Sequence, residues 1–158
     1  PVTAPRRRWT LQTRPGHLVM RLAKLATRFA ETRFRALGLG VASYPLLMVL
    51  AEREPASQKE LTRLLQVEQS SVAQLLARLE RDGFVRRAPD PRDARSSAIT
   101  LTAKAREALP QLSQIMSDGN DLAVRGMSDA EIDQMLDLMR RMIANMEADQ
   151  PERAAGPS

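Results

Sequence analysis

The stretch Gln69 to Asp82, QSSVAQLLARLERD, carries the residues best suited to chemistry in this chain. At 100° per residue, Val72, Leu75, Leu76 and Leu79 fall in one apolar stripe. The opposite face carries Ser70, Gln74, Ala77 and Arg81, with Ser71 and Arg78 on its shoulder. Small polar residues near a helix start let the backbone approach a DNA groove closely. Gln69, Ser70, Ser71 and Gln74 can hydrogen-bond base edges, glutamine matching the adenine pattern, and Arg78 and Arg81 can pair with guanine or phosphate. Alone, such a face is equally well an ordinary solvated one.

A second cluster lies at Pro89, Asp90, Pro91, Arg92, Asp93, Ala94 and Arg95. It falls between two expected short strands, Phe84 to Arg87 and Ser97 to Leu101, with Val85, Ile99 and Leu101 facing inward. Arginines at a hairpin tip can enter a narrow minor groove, where negative potential concentrates. The flanking aspartates can hold the guanidinium groups by bidentate pairing. Arg86 and Arg87 extend this basic strip toward the DNA backbone.

The elements that must position these groups can be read from caps and periodicity. Ser57 and Glu60 form an S-x-x-E capping box that opens a helix to about Leu65. Its N-terminus, at Ser57 and Gln58, would point backbone N–H groups at a phosphate. The turn Gln66-Val67-Glu68 then leads into the helix from Gln69, which Gly83 closes. Helix, turn, helix and a two-stranded wing make a winged helix-turn-helix over residues 41–101.

Upstream, a helix from about His17 to Leu37 has Leu18, Leu22, Leu25, Ala26 and Phe29 in one stripe and a second apolar flank at Val19, Ala23 and Ala30. A helix apolar on two sides packs against more than one neighbour, a second subunit included. A further helix, Val41 to Glu52, accommodates Pro45 in its first turn if Ser43 is the cap. Downstream, Thr102 is an N-cap for a long helix to about Val124, which Pro110 and Gly119 are expected to bend or loosen. Ser128 and Glu131 form a second capping box before a last helix striped with Ile132, Met135, Leu136, Met139, Met142, Ile143 and Met146. Methionines at helical spacing with no partnering histidine or cysteine read as apolar packing for an adaptable subunit interface, not a thioether metal site. Residues 1–15 are expected to be a disordered basic arm, 16–40 and 102–148 a helical dimerisation region, and 149–158 a disordered tail. The fold class is mainly α with a small β wing.

Composition bounds the partners. The 158 residues are 43% hydrophobic and 27% charged, which is globular. The net charge of +5 favours a polyanionic partner, although modestly. One tryptophan, one tyrosine and three phenylalanines are too few for stacking on single-stranded nucleic acid. No cysteine and a single histidine leave no disulfide and no expected metal site. No apolar run approaches the ~18 residues of a membrane span. The opening PVTAPRRRWTLQT does not read as a secretory signal, so the expected compartment is the cytoplasm.

The segment LARLERDGFVRR followed by DPRDARSSAITLT resembles the wing signature of the multiple antibiotic resistance regulator (MarR) family. The resemblance covers about Leu18 to Met146. It implies an obligate homodimer of interlocked terminal helices, whose two winged-helix lobes read palindromic duplex DNA. It implies recognition contacts from Ser70, Ser71, Gln74 and Arg78, and a minor-groove role for Arg95, with Asp93 orienting it. It also implies a small anionic aromatic effector held near the first, second and fifth helices, for which His17, Arg21 and Tyr44 are candidates. The chain departs from the family at Glu68, a poor cap for the reading helix, and at Pro45. The expected function is a ligand-responsive repressor without cofactor. The alternative is a helical interaction protein that uses the winged helix for protein contacts without specific DNA binding. An enzyme is not expected, since no glycine-rich phosphate loop or carboxylate pair in an apolar setting is present.

Overall fold

A computed structural model describes residues 8–90 and 93–149, with the backbone alone at 90 and 93–96. Arg6 and Arg7 of the expected arm, Arg92 of the wing and the tail beyond Asp149 lie outside the described residues. The chain divides into two compact units, 1–119 and 120–158.

In the first unit a 3-10 turn at Leu11–Thr13 precedes α1, Pro15–Ala36. This turn lies within the arm expected to lack structure; the Thr10 N–H donates to the Thr13 hydroxyl at 3.0 Å and the Thr13 N–H to the Thr10 carbonyl at 3.2 Å. The expected stripe of α1 is not its buried side: Leu18, Leu22, Leu25 and Ala26 are exposed and Phe29 is half-buried, whereas Ala30 of the second flank and Phe34 are buried. Helix α1 stops at Gly38, whose φ of 75° lets Leu39 N–H bond back to the Phe34 carbonyl at 3.1 Å.

A 3-10 turn at Val41–Ser43 leads to α2, Tyr44–Arg53, so the helix begins three residues later than its apolar pattern suggests. Pro45 sits in the first turn, where its missing N–H costs little. Ser43 precedes it but caps nothing with its side chain; its hydroxyl instead donates to the Gly40 carbonyl at 2.5 Å. Leu46, Leu47 and Leu50 are buried on the inner side of α2.

Helix α3, Gln58–Leu65, opens with the expected capping box: Ser57 N–H donates to Glu60 at 2.6 Å and Glu60 N–H donates to the Ser57 hydroxyl at 3.2 Å. Left-handed Gln66 turns the chain, and α4 runs Gln69–Arg81. At its end Gly83, φ 79°, allows Phe84 N–H to reach the Leu79 carbonyl at 2.8 Å.

The sheet has three antiparallel strands in the order β1-β3-β2: β1 Ala56–Ser57, β2 Val85–Asp90 and β3 Asp93–Leu101. Both wing strands are longer than expected, and β1 was not expected at all. Val85, Ile99 and Leu101 point into the core as predicted, joined by Phe84.

Helix α5 spans Ala103–Ala123 as one helix through both Pro110 and Gly119. Pro110 is tolerated on the exposed side, where the Arg106 carbonyl that loses its partner can be met by water. Ala105, Ala108 and Leu112 of α5 close a single core with Phe34, Leu46, Leu50, Leu61, Leu76 and Ile99. The fold is mainly α with a small β wing, as expected.

In the second unit, α6 spans Asp129–Ala148 behind the predicted capping box of Ser128 and Glu131. None of its residues is buried: Met142, Ile143 and Met146 are exposed, and Ile132, Met135 and Met139 are half-buried. No single helix among the described residues is long and apolar enough to cross a membrane.

Candidate nucleic-acid interface

Helix α4 buries Val72, Leu76 and Leu79 and exposes Gln69, Ser70, Ser71, Gln74, Arg78 and Arg81. Ser70, Gln74 and Arg78 recur every fourth residue, so they form one exposed row. That row is about 12 Å long at 1.5 Å per residue, enough to face roughly three to four base pairs at ~3.4 Å each. Glu68 is the N-cap, and its side chain makes no capping hydrogen bond; its carbonyl accepts from Ser71 and Val72 N–H groups at 3.0 and 3.2 Å.

Not every arginine near this face is equally available. Arg81 donates to both Asp82 carboxylate oxygens, at 2.9 and 3.3 Å. That hydrogen-bonded guanidinium holds the Asp82 carboxyl below its ordinary range. Arg87, expected to extend the basic strip, turns instead toward Glu80, with Nε 3.1 Å from the carboxylate. Arg86 is exposed and anchored across the hairpin, its Nε donating to the Thr100 hydroxyl at 3.0 Å. Arg78 is exposed and acts on Asp82 only through its charge, behind the hydrogen-bonded Arg81.

The preceding helix presents Ser57 and Gln58 half-buried at its start. The Ser57 hydroxyl is already engaged as the cap of α3. What α3 has left for a phosphate at that end is its first backbone N–H groups and the Gln58 side chain.

The wing departs most from its sequence reading. Pro89 pairs with Ser97 and Asp90 pairs with Asp93, so Ala94, Arg95 and Ser96 are interposed between pairs adjacent on β2. Arg95 therefore belongs to an irregular stretch of β3 and not to the hairpin tip. Asp93 pairs across the hairpin as the first residue of β3. A bulge of this kind re-aims the strand where it occurs.

The effector candidates do not converge within one chain. His17 lies in the first turn of α1 and Arg21 one turn later. Tyr44 packs edge-to-face on Phe34, ring centroids 6.0 Å apart. At 1.5 Å per residue, Phe34 is about 25 Å along α1 from His17. A small molecule cannot touch both ends. A different hollow, of about 390 Å³, lies between α2 and α4 and is lined mainly by apolar groups of Ala42, Pro45, Val67 and Leu75, with Ser71, Gln74 and Arg78 at its polar side. Sequence periodicity assigned Leu75 to the core stripe, and nothing in the pattern signalled that it is only half-covered.

A sequence model of the MarR family matches residues 37–96, which hold α2 to α4, β1, β2 and the irregular part of β3. YkoM, named an uncharacterized HTH-type transcriptional regulator of Bacillus subtilis (strain 168), is 30% identical over 104 residues, covering 66% of this chain and 68% of YkoM. BadR, a transcriptional activatory protein of Rhodopseudomonas palustris, is 34% identical over 105 residues, covering 63% of this chain and 60% of BadR. Among solved structures, the PcaV transcriptional regulator from Streptomyces coelicolor superposes with a TM-score of 0.76 at 24% identity, covering 86% of this chain and 99% of PcaV, a likeness of fold. Capped helix, turn, exposed polar helix and wing are thus those of a known group of regulators: the chain belongs to the MarR family of transcriptional regulators, DNA-binding proteins and not enzymes.

Proposed function

We propose that the protein is a homodimeric, ligand-responsive transcriptional repressor that binds palindromic duplex DNA, with α4 in the major groove and Arg95 of the wing in the minor groove. The observation that carries this function is the exposed row Ser70, Gln74 and Arg78 on a helix whose other side is locked into the core. Rigid presentation of short polar side chains is what base-edge reading requires. Ser57, Gln58 and Arg86 supply backbone contacts that fix register, and Asp93 and Arg92 complete the wing.

Dimerisation is supported by apolar side chains left exposed among the described residues. Leu18, Val19, Met20, Leu22 and Leu25 of α1 are exposed, as are Leu136, Leu138, Ile143 and Met146 of α6. Residues 16–40 and 102–148 form the dimerisation region and 41–101 the DNA-binding region. Two half-sites fixed in a dimer raise affinity through effective concentration, without new contacts. The cytoplasm is the compartment in which such a protein meets its DNA.

Ligand response is supported by the hollow between α2 and α4, because Ser71, Gln74 and Arg78 belong both to it and to the reading face. A ligand there shifts DNA affinity by its differential binding to the free and DNA-bound states. A small anionic aromatic compound suits apolar walls beside Arg78. Repression rests on the family alone. BadR, a relative, is named an activatory protein, so the sign of regulation is the part to test in cells.

Selection of bound sequences from random duplex DNA tests the whole proposal. A palindrome with half-site centres about one helical turn apart is expected. Enrichment of no sequence, or of an asymmetric single site, contradicts it.

A further inference from the structure

Glu54 holds an unusual place in the sheet. The register of β1 on β3 sets Ala56 opposite Ile99 and Ser57 opposite Ala98. Continued by two residues, the same register puts Glu54 opposite Leu101. Strand β1 does not extend that far, since α2 ends at Arg53 and the Glu54 N–H still bonds back to the Leu50 carbonyl at 3.0 Å. The Leu101 N–H is instead satisfied by the Glu54 side chain, with N to Oε2 2.8 Å. A carboxylate replaces the backbone carbonyl that a longer β1 would have offered. Its other oxygen, Oε1, forms an ion pair with Arg106 of α5. The Glu54 side chain is only 19% exposed and Leu101 only 3%.

We propose that Glu54 is a positioning residue for DNA binding: its carboxylate clamps the root of the wing to the first turns of α5 and thereby aims Arg95. The inference rests on the DNA-reading function proposed above. Leverage is the physical reason. From Leu101 to Arg95 is about 20 Å of strand at 3.3 Å per residue. A tilt of about 10° at the root therefore displaces the arginine by roughly 3 Å, more than a groove contact tolerates. Without the carboxylate, a buried N–H at the pivot is left without its partner, which favours such a tilt or local opening. Arg106 orients the carboxylate, so one bond keeps the strand in place and the other keeps the clamp in place.

The test is a double-mutant cycle on a labelled duplex carrying the selected sequence, read by fluorescence anisotropy at fixed salt. Each variant is measured at a temperature where circular dichroism finds it folded. Glu54→Ala is expected to weaken specific binding by about tenfold. In an Arg95→Ala background it is expected to add little, because the contact it aims is already gone. Wild-type affinity for Glu54→Ala, or full additivity with Arg95→Ala, overturns the inference. If Glu54→Ala does not fold, Glu54→Gln keeps an oxygen for Leu101 N–H while losing the charge for Arg106. About a threefold loss, again non-additive with Arg95→Ala, is then expected, and no loss overturns the proposal. Failure of the wild-type chain to discriminate the selected duplex would contradict the DNA-reading function itself, whatever the variants do.

Discussion

Thr102 and Gly83 join the two halves of the reading head. The Thr102 hydroxyl donates to the Gly83 carbonyl at 2.7 Å and accepts from Ala105 N–H at 3.2 Å, while Thr102 N–H donates to the Phe84 carbonyl at 3.0 Å. One residue thus caps α5 and binds the turn that ends α4. Lys104 adds a second tie, its Nζ donating to the Asp82 carbonyl at 2.8 Å and lying 4.2 Å from the Phe84 ring centroid. Thr102→Ala is expected to cost about 1 kcal/mol of stability, the usual loss for an N-cap, and Thr102→Ser to restore most of it. Urea unfolding of the two variants measures this, and equal midpoints for wild type and alanine would contradict it.

Arg78 and Arg81 lie on the same helix but differ in commitment. Arg81 is held by Asp82, and Arg78 is exposed at the reading face. Arg78→Ala is expected to lower affinity for specific DNA by roughly 10- to 100-fold. Arg81→Ala should stay within about twofold, as expected for an exposed side chain outside the contact. Titration of both variants on one duplex settles the order, and a larger effect at Arg81 would misplace the face by a full helical step.

At the start of α6, hydrogen bonds from the Ser128 N–H and then its hydroxyl hold the Glu131 carboxyl below its ordinary value of 4.5. A carboxylate depressed in the folded state stabilises fully above its unfolded pKa, and that contribution is lost as pH falls through the lowered folded value. The first turn of α6 is therefore expected to keep its cap at pH 6 and lose it progressively below 4.5. Carboxyl titration by NMR reads this directly. Ser128→Ala removes the hydroxyl and keeps the N–H that contributes most, so it should move Glu131 part of the way back toward 4.5, and no movement would contradict the hydroxyl's share.

Gly119 makes room for Phe29. A Cβ built at Gly119 would lie 3.2 Å from Phe29 Cδ1, and Arg33 already covers the ring at 3.6 Å from its centroid. Gly119→Ala gains about 1 kcal/mol of helix propensity but needs the ring to yield by a few tenths of an ångström, so its net effect is expected to stay within about 0.5 kcal/mol. Gly119→Leu is expected to lose about 1–3 kcal/mol by overpacking. Thermal unfolding checks both, and a leucine variant as stable as wild type would contradict the packing.

The helices were legible because their signals are local. A capping box spans four residues, and a stripe at i, i+3, i+4 and i+7 declares its own buried side, as Val72, Leu76 and Leu79 do. Strand β1 was not, since two residues cannot display an alternation. The wing extends through Pro89 and Asp90 by backbone pairing that leaves no hydrophobic period to read. Glu54 carries no local signal, because its partners lie 47 and 52 residues away. His17 and Tyr44 were grouped by the family resemblance, and the length of α1 separates them. The leucines of α1 and methionines of α6 were expected to pack; Leu18, Leu22, Leu25, Met142 and Met146 are exposed, because one chain's periodicity marks an apolar face without encoding what covers it.

The most direct test of the central claim is the salt dependence of binding to the selected duplex and to a scrambled duplex of the same composition. Binding to the selected duplex is expected to be at least about a thousandfold tighter than to the scrambled one near physiological salt. A log–log slope of several units is expected, at roughly −0.9 per neutralised phosphate. Equal affinity for the two duplexes, or an affinity indifferent to salt, would contradict it.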